Sequence, residues 1–190
     1  MIYFAYQGSD TGLRQATDFC NALYQQQEFW DRIAVIGTFD ESAIPATQIV
    51  SKLRFCGSVT EIRHWTPGFL NRLRYRKTVA LTDPDRAYLI AYHTRFLGNP
   101  VARKVNTLVH EHVHNVDFFS DGNGSIEYGH GGQSSVGKQN TAPYRIGAIA
   151  QQFYAAANPV LAAKAMAEPA PTEECRFGQD VGHIADDELE

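Results

Sequence analysis

The chain has 190 residues, a length that fits a single domain, and 44% of them are hydrophobic, which is enough to form a core. No run approaches the ~18 consecutive apolar residues of a membrane-spanning helix, so the sequence predicts no membrane span. Three cysteines, Cys20, Cys56 and Cys175, are too few and too widely spaced for a disulfide framework or a C-x-x-C metal site.

The net charge of -4 is unevenly distributed along the chain. Residues 168–190 hold eight acidic residues and one basic residue, Arg176, together with Pro169 and Pro171. A segment of low hydrophobicity and high net charge does not support a packed core, so we expect this acidic tail to be flexible or loosely docked. Residues 1–167, which are slightly basic, are expected to form one domain.

The N-terminal segment, Met-Ile-Tyr-Phe-Ala-Tyr-Gln-Gly, lacks the basic region and the long apolar region of a secretory signal peptide. We therefore expect the protein to stay in the cytoplasm or to be exported by a signal-independent route, unless a leader precedes this sequence.

Apolar periodicity and turn residues predict strands and helices along the chain. In chain order, the predicted elements are a strand at 2–6, a helix at 12–27, a strand at 33–36, a helix at 45–55, strands at 59–65, 79–81 and 87–93, and helices at 101–119 and 143–157. The strands come first and the longer helices follow. This order predicts an α+β fold, in which helices pack on a small twisted sheet that is mostly antiparallel or mixed.

A basic segment, Arg72 to Lys77, follows the strand predicted at 59–65. If it is extended, it places three arginines on one face, and such a face can bind an anionic substrate or a nucleic acid. No nucleic-acid motif and no pattern of stacking aromatic residues accompanies it. We therefore expect a solvated surface and no nucleic-acid partner.

Residues 110–114 match H-E-x-x-H, a spacing that places two histidines and a glutamate for metal chemistry on a helix. Because a helix turns about 100° per residue, His110 and His114 lie roughly 40° apart on one face and one turn apart along the axis. Glu111 lies roughly 100° from His110, where it can contact a metal-activated water without displacing it. His112 points about 200° away from His110 and is a poor ligand for the same ion.

A catalytic zinc ion usually takes three protein ligands and keeps one position for water, so a third ligand is expected downstream of the motif. His130 is the favoured candidate, because glycines on both sides of it let the chain approach the metal closely. Glu127 is an alternative ligand. Asp117 lies on the helical stripe of His110, where it is better placed to orient a ligand histidine than to complete the coordination.

Two further stretches follow the motif, Tyr-Gly-His-Gly at 128–131 and Asn-Thr-Ala-Pro-Tyr at 140–144. Together with H-E-x-x-H, they make residues 107–154 resemble the zincin superfamily of metallopeptidases. The narrower resemblance is to uncharacterised bacterial zincin-like proteins that carry the same stretches. It covers about a quarter of the chain and implies a zincin-like domain with the motif on a long central helix.

The chain departs from some zincin classes and is similar to another. Metzincins carry a glycine three residues after the second motif histidine and a third histidine six residues after it, and those positions hold Asp117 and Ser120 here. Residues 124–127 are similar to the Gly-Thr-x-Asp ligand segment of the aspartate-type zincins, with Glu127 in place of the aspartate. The third ligand therefore stays open between His130 and Glu127.

The motif and the resemblance together predict a zinc-dependent metallopeptidase that binds one Zn²⁺ ion through His110, His114 and His130. Glu111 is the expected general base for a metal-activated water, and Tyr144 is the expected hydrogen-bond donor to the oxyanion. The expected substrate is a peptide or protein, and a peptidoglycan peptide is one candidate. The alternative is a non-catalytic zinc-binding interaction or effector protein that keeps the motif for its structure.

The donor to the oxyanion has more than one candidate near the motif. Tyr144 is favoured over Tyr128 and Arg145, because Pro143 fixes the start of the helix that carries Tyr144. Asn140 can position substrate or cap that helix. The sequence indicates neither the cleavage specificity nor the oligomeric state.

Overall fold

The computed structural model describes residues 2–66, 78–83, 85–119, 126, 136–159, 174–177 and 189. In chain order, the described elements are β1 (Phe4–Tyr6), α1 (Thr11–Leu23), α2 (Gln27–Ala34), α3 (Ala46–Arg54), β2 (Thr60–His64), β3 (Thr78–Thr82), β4 (Leu89–Tyr92), α4 (Thr94–Leu97), α5 (Val101–Phe119), α6 (Ala142–Ala157) and β5 (Glu174–Phe177). Among these elements, no helix is both long enough and apolar enough to cross a membrane.

The five described strands form one sheet in the order β1-β2-β4-β3-β5. Strands β1, β2 and β4 run parallel to one another, β3 runs antiparallel to β4, and β5 pairs in parallel with β3. The predicted α+β class with a mixed sheet is therefore confirmed. The other sheet type that the sequence allowed, mostly antiparallel, is wrong, because three of the four pairings between the described strands are parallel.

The two faces of the sheet are covered differently. Ile62 and Ile90 belong to the main core, in which the sheet packs against helices α1 and α5. Trp65 and Ala91 belong to a second, smaller cluster, and Leu189 packs against that cluster. Trp65 and Leu189 also form an isolated antiparallel bridge. The helix that carries the motif thus lies on the face that holds the main core.

One side chain binds the backbone at the start of β1. The amide oxygen of Asn21 accepts hydrogen bonds from the backbone N–H groups of Tyr3 and Phe4 at 2.8 and 3.0 Å, and its amide nitrogen donates to the carbonyl of Phe4 at 2.9 Å. An open strand edge invites pairing with another chain, and Asn21 occupies the backbone N–H and carbonyl groups of Phe4, the first residue of this edge strand. The same bonds tie helix α1 to the sheet.

The strand predicted at 33–36 is wrong, because the helix α2 covers Gln27–Ala34. Its side chains Phe29, Trp30 and Ile33 are buried at helical spacing, so one side of the helix faces the core. A short apolar run does not by itself distinguish a strand from a buried helical segment. The preceding aromatic pair supplies the helical period that the run alone lacks.

Four residues of the acidic tail, Glu174–Phe177, form the edge strand β5, where the sequence predicted no strand. Apart from these residues and Leu189, the segment 168–190 lies outside the described residues, so the flexibility expected there stays a prediction. The basic segment 72–77 also lies outside them, and its solvated surface stays a prediction.

Candidate metal centre

Helix α5 carries the motif through the middle of the fold, between the sheet and the helices α1 and α6. It covers the same residues that the sequence predicted to be helical. Its fully buried apolar side chains are Val105, Leu108, Val109, Val113 and Val116. His110, Glu111 and His114 are buried as well. Burying polar groups costs free energy unless they are hydrogen-bonded or coordinate a metal, so their partners determine what the site can do.

A buried lysine fixes the N-terminal part of this helix. The ammonium group of Lys104 donates to the backbone carbonyl of Leu97 at 2.8 Å and to a carboxylate oxygen of Asp10 at 3.1 Å. Asp10 also caps α1, since the same oxygen accepts a hydrogen bond from the backbone N–H of Leu13. The start of α5 is therefore tied to the start of α1.

The two motif histidines converge. Their Nε2 atoms lie 3.2 Å apart, and their ring centroids are 4.9 Å apart. Two nitrogens bound to one tetrahedral zinc ion at about 2.0–2.1 Å are roughly 3.3–3.4 Å from each other. His110 and His114 therefore present their nitrogens at close to the separation that a shared zinc ion requires, and the pair fits that ion.

The carboxylate of Glu111 is held from the side of the sheet. Its Oε2 accepts a hydrogen bond from the hydroxyl of Thr82 at 2.9 Å, and Thr82 is the last residue of β3. The amide of Asn115, one turn further along α5, donates to that hydroxyl at 3.1 Å. Sequence analysis identified neither Thr82 nor Asn115, because Thr82 lies 29 residues before Glu111 and no motif spacing marks either residue.

His112 contacts the sheet instead of the histidine pair. Its Nδ1 lies 2.9 Å from the hydroxyl of Thr60 on β2, and its ring packs against the rings of Phe4 and Tyr24 with centroids 4.9 and 5.4 Å apart. Burial disfavours the charged form and lowers the pKa of His112 to about 3. This position agrees with the helical geometry that made His112 a poor ligand.

Tyr144 lies directly against His110. Its partly buried ring meets the ring of His110 with centroids 4.6 Å apart and planes at 83°. Gly147, one turn further along α6, faces α5 so closely that a Cβ atom there would lie 2.8 Å from the carbonyl oxygen of Asn106. The glycine therefore permits the close helix packing that brings Tyr144 to His110.

The other donors considered near the site are placed differently. Arg145 is exposed, and its guanidinium donates to the side-chain oxygen of Asn140 at 3.1 Å. These two residues thus bind each other on the surface where α6 begins. Tyr128 lies outside the described residues. Of the three donors that the sequence offered, Tyr144 is the one that the described structure brings to the motif.

Asp117 anchors the chain where it returns to the end of α5. Its carboxylate accepts a hydrogen bond from the backbone N–H of Ile126 at 2.7 Å, and Ile126 is fully buried. The predicted role of Asp117 in orienting a ligand histidine stays a prediction.

The two candidates for the third ligand, His130 and Glu127, lie outside the described residues. Within the described part of the chain, no group of three or more His, Cys, Asp or Glu side chains is arranged to hold a metal ion. The third ligand therefore stays a prediction. Ile126, held by Asp117, directly precedes Glu127 and lies four residues before His130.

The substitution Gly147→Ala tests the close approach of α6 to α5. We expect it to lower the free energy of unfolding by about 1–3 kcal/mol, because the added methyl group overlaps a backbone carbonyl that cannot move alone. Gly98→Ala is the matched control, since its Cβ would meet its nearest neighbour at an ordinary 3.5 Å. Urea unfolding of both variants measures the difference. Equal stability of the two would contradict the packing described here.

The buried state of His112 predicts a stability that depends on pH. Its pKa in the folded protein lies below the value of about 6.5 expected when unfolded, so its stabilisation is complete above that pH and is lost as the pH falls toward 3. In protein treated with chelator, the protonation of His112 on unfolding should lower the free energy of unfolding by up to about 1.4 kcal/mol for each unit that the pH falls between about pH 6 and pH 4. In His112→Phe, the free energy of unfolding, measured by urea unfolding at several pH values, should fall less steeply as the pH is lowered. An unchanged slope would show that His112 does not drive it.

No family model, no curated protein and no solved structure matches this chain. The comparisons therefore show no family. The function is argued below from the histidine pair, from Glu111 and from the residues that hold them.

Proposed function

We propose that this protein is a zinc-dependent metallopeptidase built on a zincin-like domain. The separation of 3.2 Å between the Nε2 atoms of His110 and His114 is the observation that carries the proposal. Both rings come from one rigid helix that is buried in the core, so little rearrangement is needed for them to bind a single zinc ion. A carboxylate, Glu111, lies beside the pair on the same helix.

His130 is the proposed third ligand, and Glu127 is the alternative. The support comes from the bond between Asp117 and the backbone of Ile126, which brings the chain back to the end of α5 just before both candidates. Glycines on either side of His130 favour a close approach of that segment to a metal. With this residue, three side chains would hold the metal, which is the number of protein ligands in catalytic zinc sites.

The residues around the pair can carry out amide hydrolysis. When bound, zinc supplies Lewis acidity, which makes a water more acidic and polarises the scissile carbonyl. Glu111 takes the proton of the attacking water and passes it to the departing amine. Tyr144, which contacts His110, donates its phenolic hydrogen bond to the oxyanion that forms on the substrate. The substrate in this proposal is a peptide or protein, with peptidoglycan peptides as one class.

A non-catalytic zinc protein is the second candidate. It is favoured by one observation, the deep burial of the motif, since His110, Glu111 and His114 expose 1%, 0% and 2% of their surface. Structural zinc sites are closed in this way, whereas catalytic sites keep an open position. Metal binding is common to both candidates, and only the role of Glu111 separates them.

Zinc analysis tests the metal centre. We expect about one equivalent of zinc after loading and dialysis, and at least about 100-fold weaker binding in His110→Ala and His114→Ala, because losing a ligand costs more than losing its outer hydrogen-bond partner. His130→Ala should weaken binding to the same degree and Glu127→Ala should not. The reverse result would make Glu127 the ligand, and a wild-type protein without bound zinc would end the proposal.

The substitution Glu111→Gln tests the catalytic role. It should keep one equivalent of zinc and lower the hydrolysis of fluorescein-labelled casein by about 10²–10⁴-fold, because the amide cannot accept the proton of the attacking water. Glu28→Gln, an exposed carboxylate on α2, is the matched control and should retain full activity. If casein were cleaved equally by both variants, Glu111 would not be the base.

A further inference from the structure

Thr82 occupies a position that the H-E-x-x-H motif does not specify. It ends β3, is fully buried, and directs its hydroxyl at α5, where Oγ1 lies 2.9 Å from Glu111 Oε2 and 3.2 Å from the backbone carbonyl of Glu111. Because β3 runs antiparallel to β4, its last residue lies beside the first part of β4, opposite Ile90. Asn115 reaches the same place from α5.

The direction of these hydrogen bonds follows from the acceptors around Asn115. Its amide nitrogen lies 3.4 Å from the carbonyl of Leu89 and 3.1 Å from the carbonyl of Glu111. Both are oxygens that can only accept, so the NH₂ group of Asn115, and not its oxygen, must face them. The same nitrogen lies 3.1 Å from Thr82 Oγ1, to which it can only donate, and its two hydrogens are shared among these three oxygens.

A hydroxyl group has one hydrogen to donate. Because the amide nitrogen of Asn115 cannot accept a hydrogen bond, the hydrogen of Thr82 is directed to Glu111, and the shorter of the two contacts is the one to the carboxylate oxygen Oε2. The chain of donors runs one way, from Asn115 through Thr82 to Glu111. A hydrogen bond donated to a carboxylate is charge-assisted and stabilises its ionised form.

We infer that Thr82 and Asn115 are positioning residues for the general base, an inference that rests on the proposed function. Thr82 holds Oε2 and thereby fixes the rotamer of Glu111, and Asn115 fixes the direction in which Thr82 donates. The oxygen that takes the proton of the attacking water is then Oε1. Misplacing a reacting group by about 1 Å can cost 10²-fold in rate, so a loose carboxylate should lower turnover more than substrate binding.

The kinetic test compares Thr82→Val, which keeps the shape but has no donor, with Thr82→Ser, which keeps the hydroxyl. On fluorescein-labelled casein, Thr82→Val in the zinc-loaded protein should lower kcat by about 10–100-fold with little change in KM or in zinc content. Thr82→Ser should restore most of the activity. An equal loss in both variants, or a loss confined to KM, would overturn the positioning role.

Thr60→Val is the matched control. Thr60 is also fully buried, and its hydroxyl also bonds to α5. Its partner there is His112, and no hydrogen bond among the described residues joins His112 to His110 or His114. The same substitution in the same layer should therefore leave kcat near its wild-type value. If Thr60→Val lost as much kcat as Thr82→Val, the loss would not be specific to the bond with Glu111. That result would overturn the positioning role of Thr82.

A second measurement does not depend on activity. In metal-free protein, the urea midpoints of Thr82→Val, Glu111→Gln and the double variant form a double-mutant cycle. Residues in contact give non-additive effects, so the double variant should shift the midpoint by clearly less than the two single shifts combined. Additive shifts would show that Thr82 and Glu111 do not interact and would overturn the inference.

The two measurements separate this inference from the proposed function. Zinc-loaded wild type that leaves casein intact would contradict the proposed function, and the positioning role would fall with it even if the cycle showed coupling. Active wild type with an equally active Thr82→Val would overturn only the positioning role.

Discussion

The fold depends on the burial of a helix that is not wholly apolar. Helix α5 lies between the sheet and two other helices, yet it carries Lys104, His110, Glu111, His112, His114 and Asn115 among its buried residues. Each of these polar groups would be costly in a core without a partner. The neighbouring elements therefore have to supply partners, and much of the structure around α5 can be understood from that requirement.

The partners come from different directions. Lys104 is bound by Asp10 and a carbonyl near the start of the helix, Glu111 and Asn115 are bound from β3, and His112 is bound from β2. His110 and His114 differ because their nitrogens meet each other. His110 also contacts Tyr144 on α6, so the pair with metal-ligand spacing has a neighbour on that helix.

Periodicity in the sequence predicted the motif helix and the face shared by His110 and His114, because each depends on local spacing along one element, and the order of the predicted elements indicated the α+β class. The helix α2 was missed because the apolar run at 33–36 was interpreted without the aromatic pair before it, whereas the edge strand β5 was missed because it lacks a local pattern. A four-residue strand in an acidic tail has no pattern of its own, and its place is decided by β3, which lies far away in the sequence. Likewise, no local pattern identifies Thr82 or Gly147, whose importance comes from atoms on α5 that each one meets.

The pairing of β5 with β3 has a consequence for how the chain folds. Thr78 pairs with Glu174, so both α5 and α6 lie in the loop that this pairing closes. The entropic cost of closing a loop grows with its length, and distant strand pairings form slowly. Helix α5 contacts both α6 and β3 across shorter separations. We therefore expect the histidine pair and the groups that hold Glu111 to assemble early, with this edge of the sheet forming last.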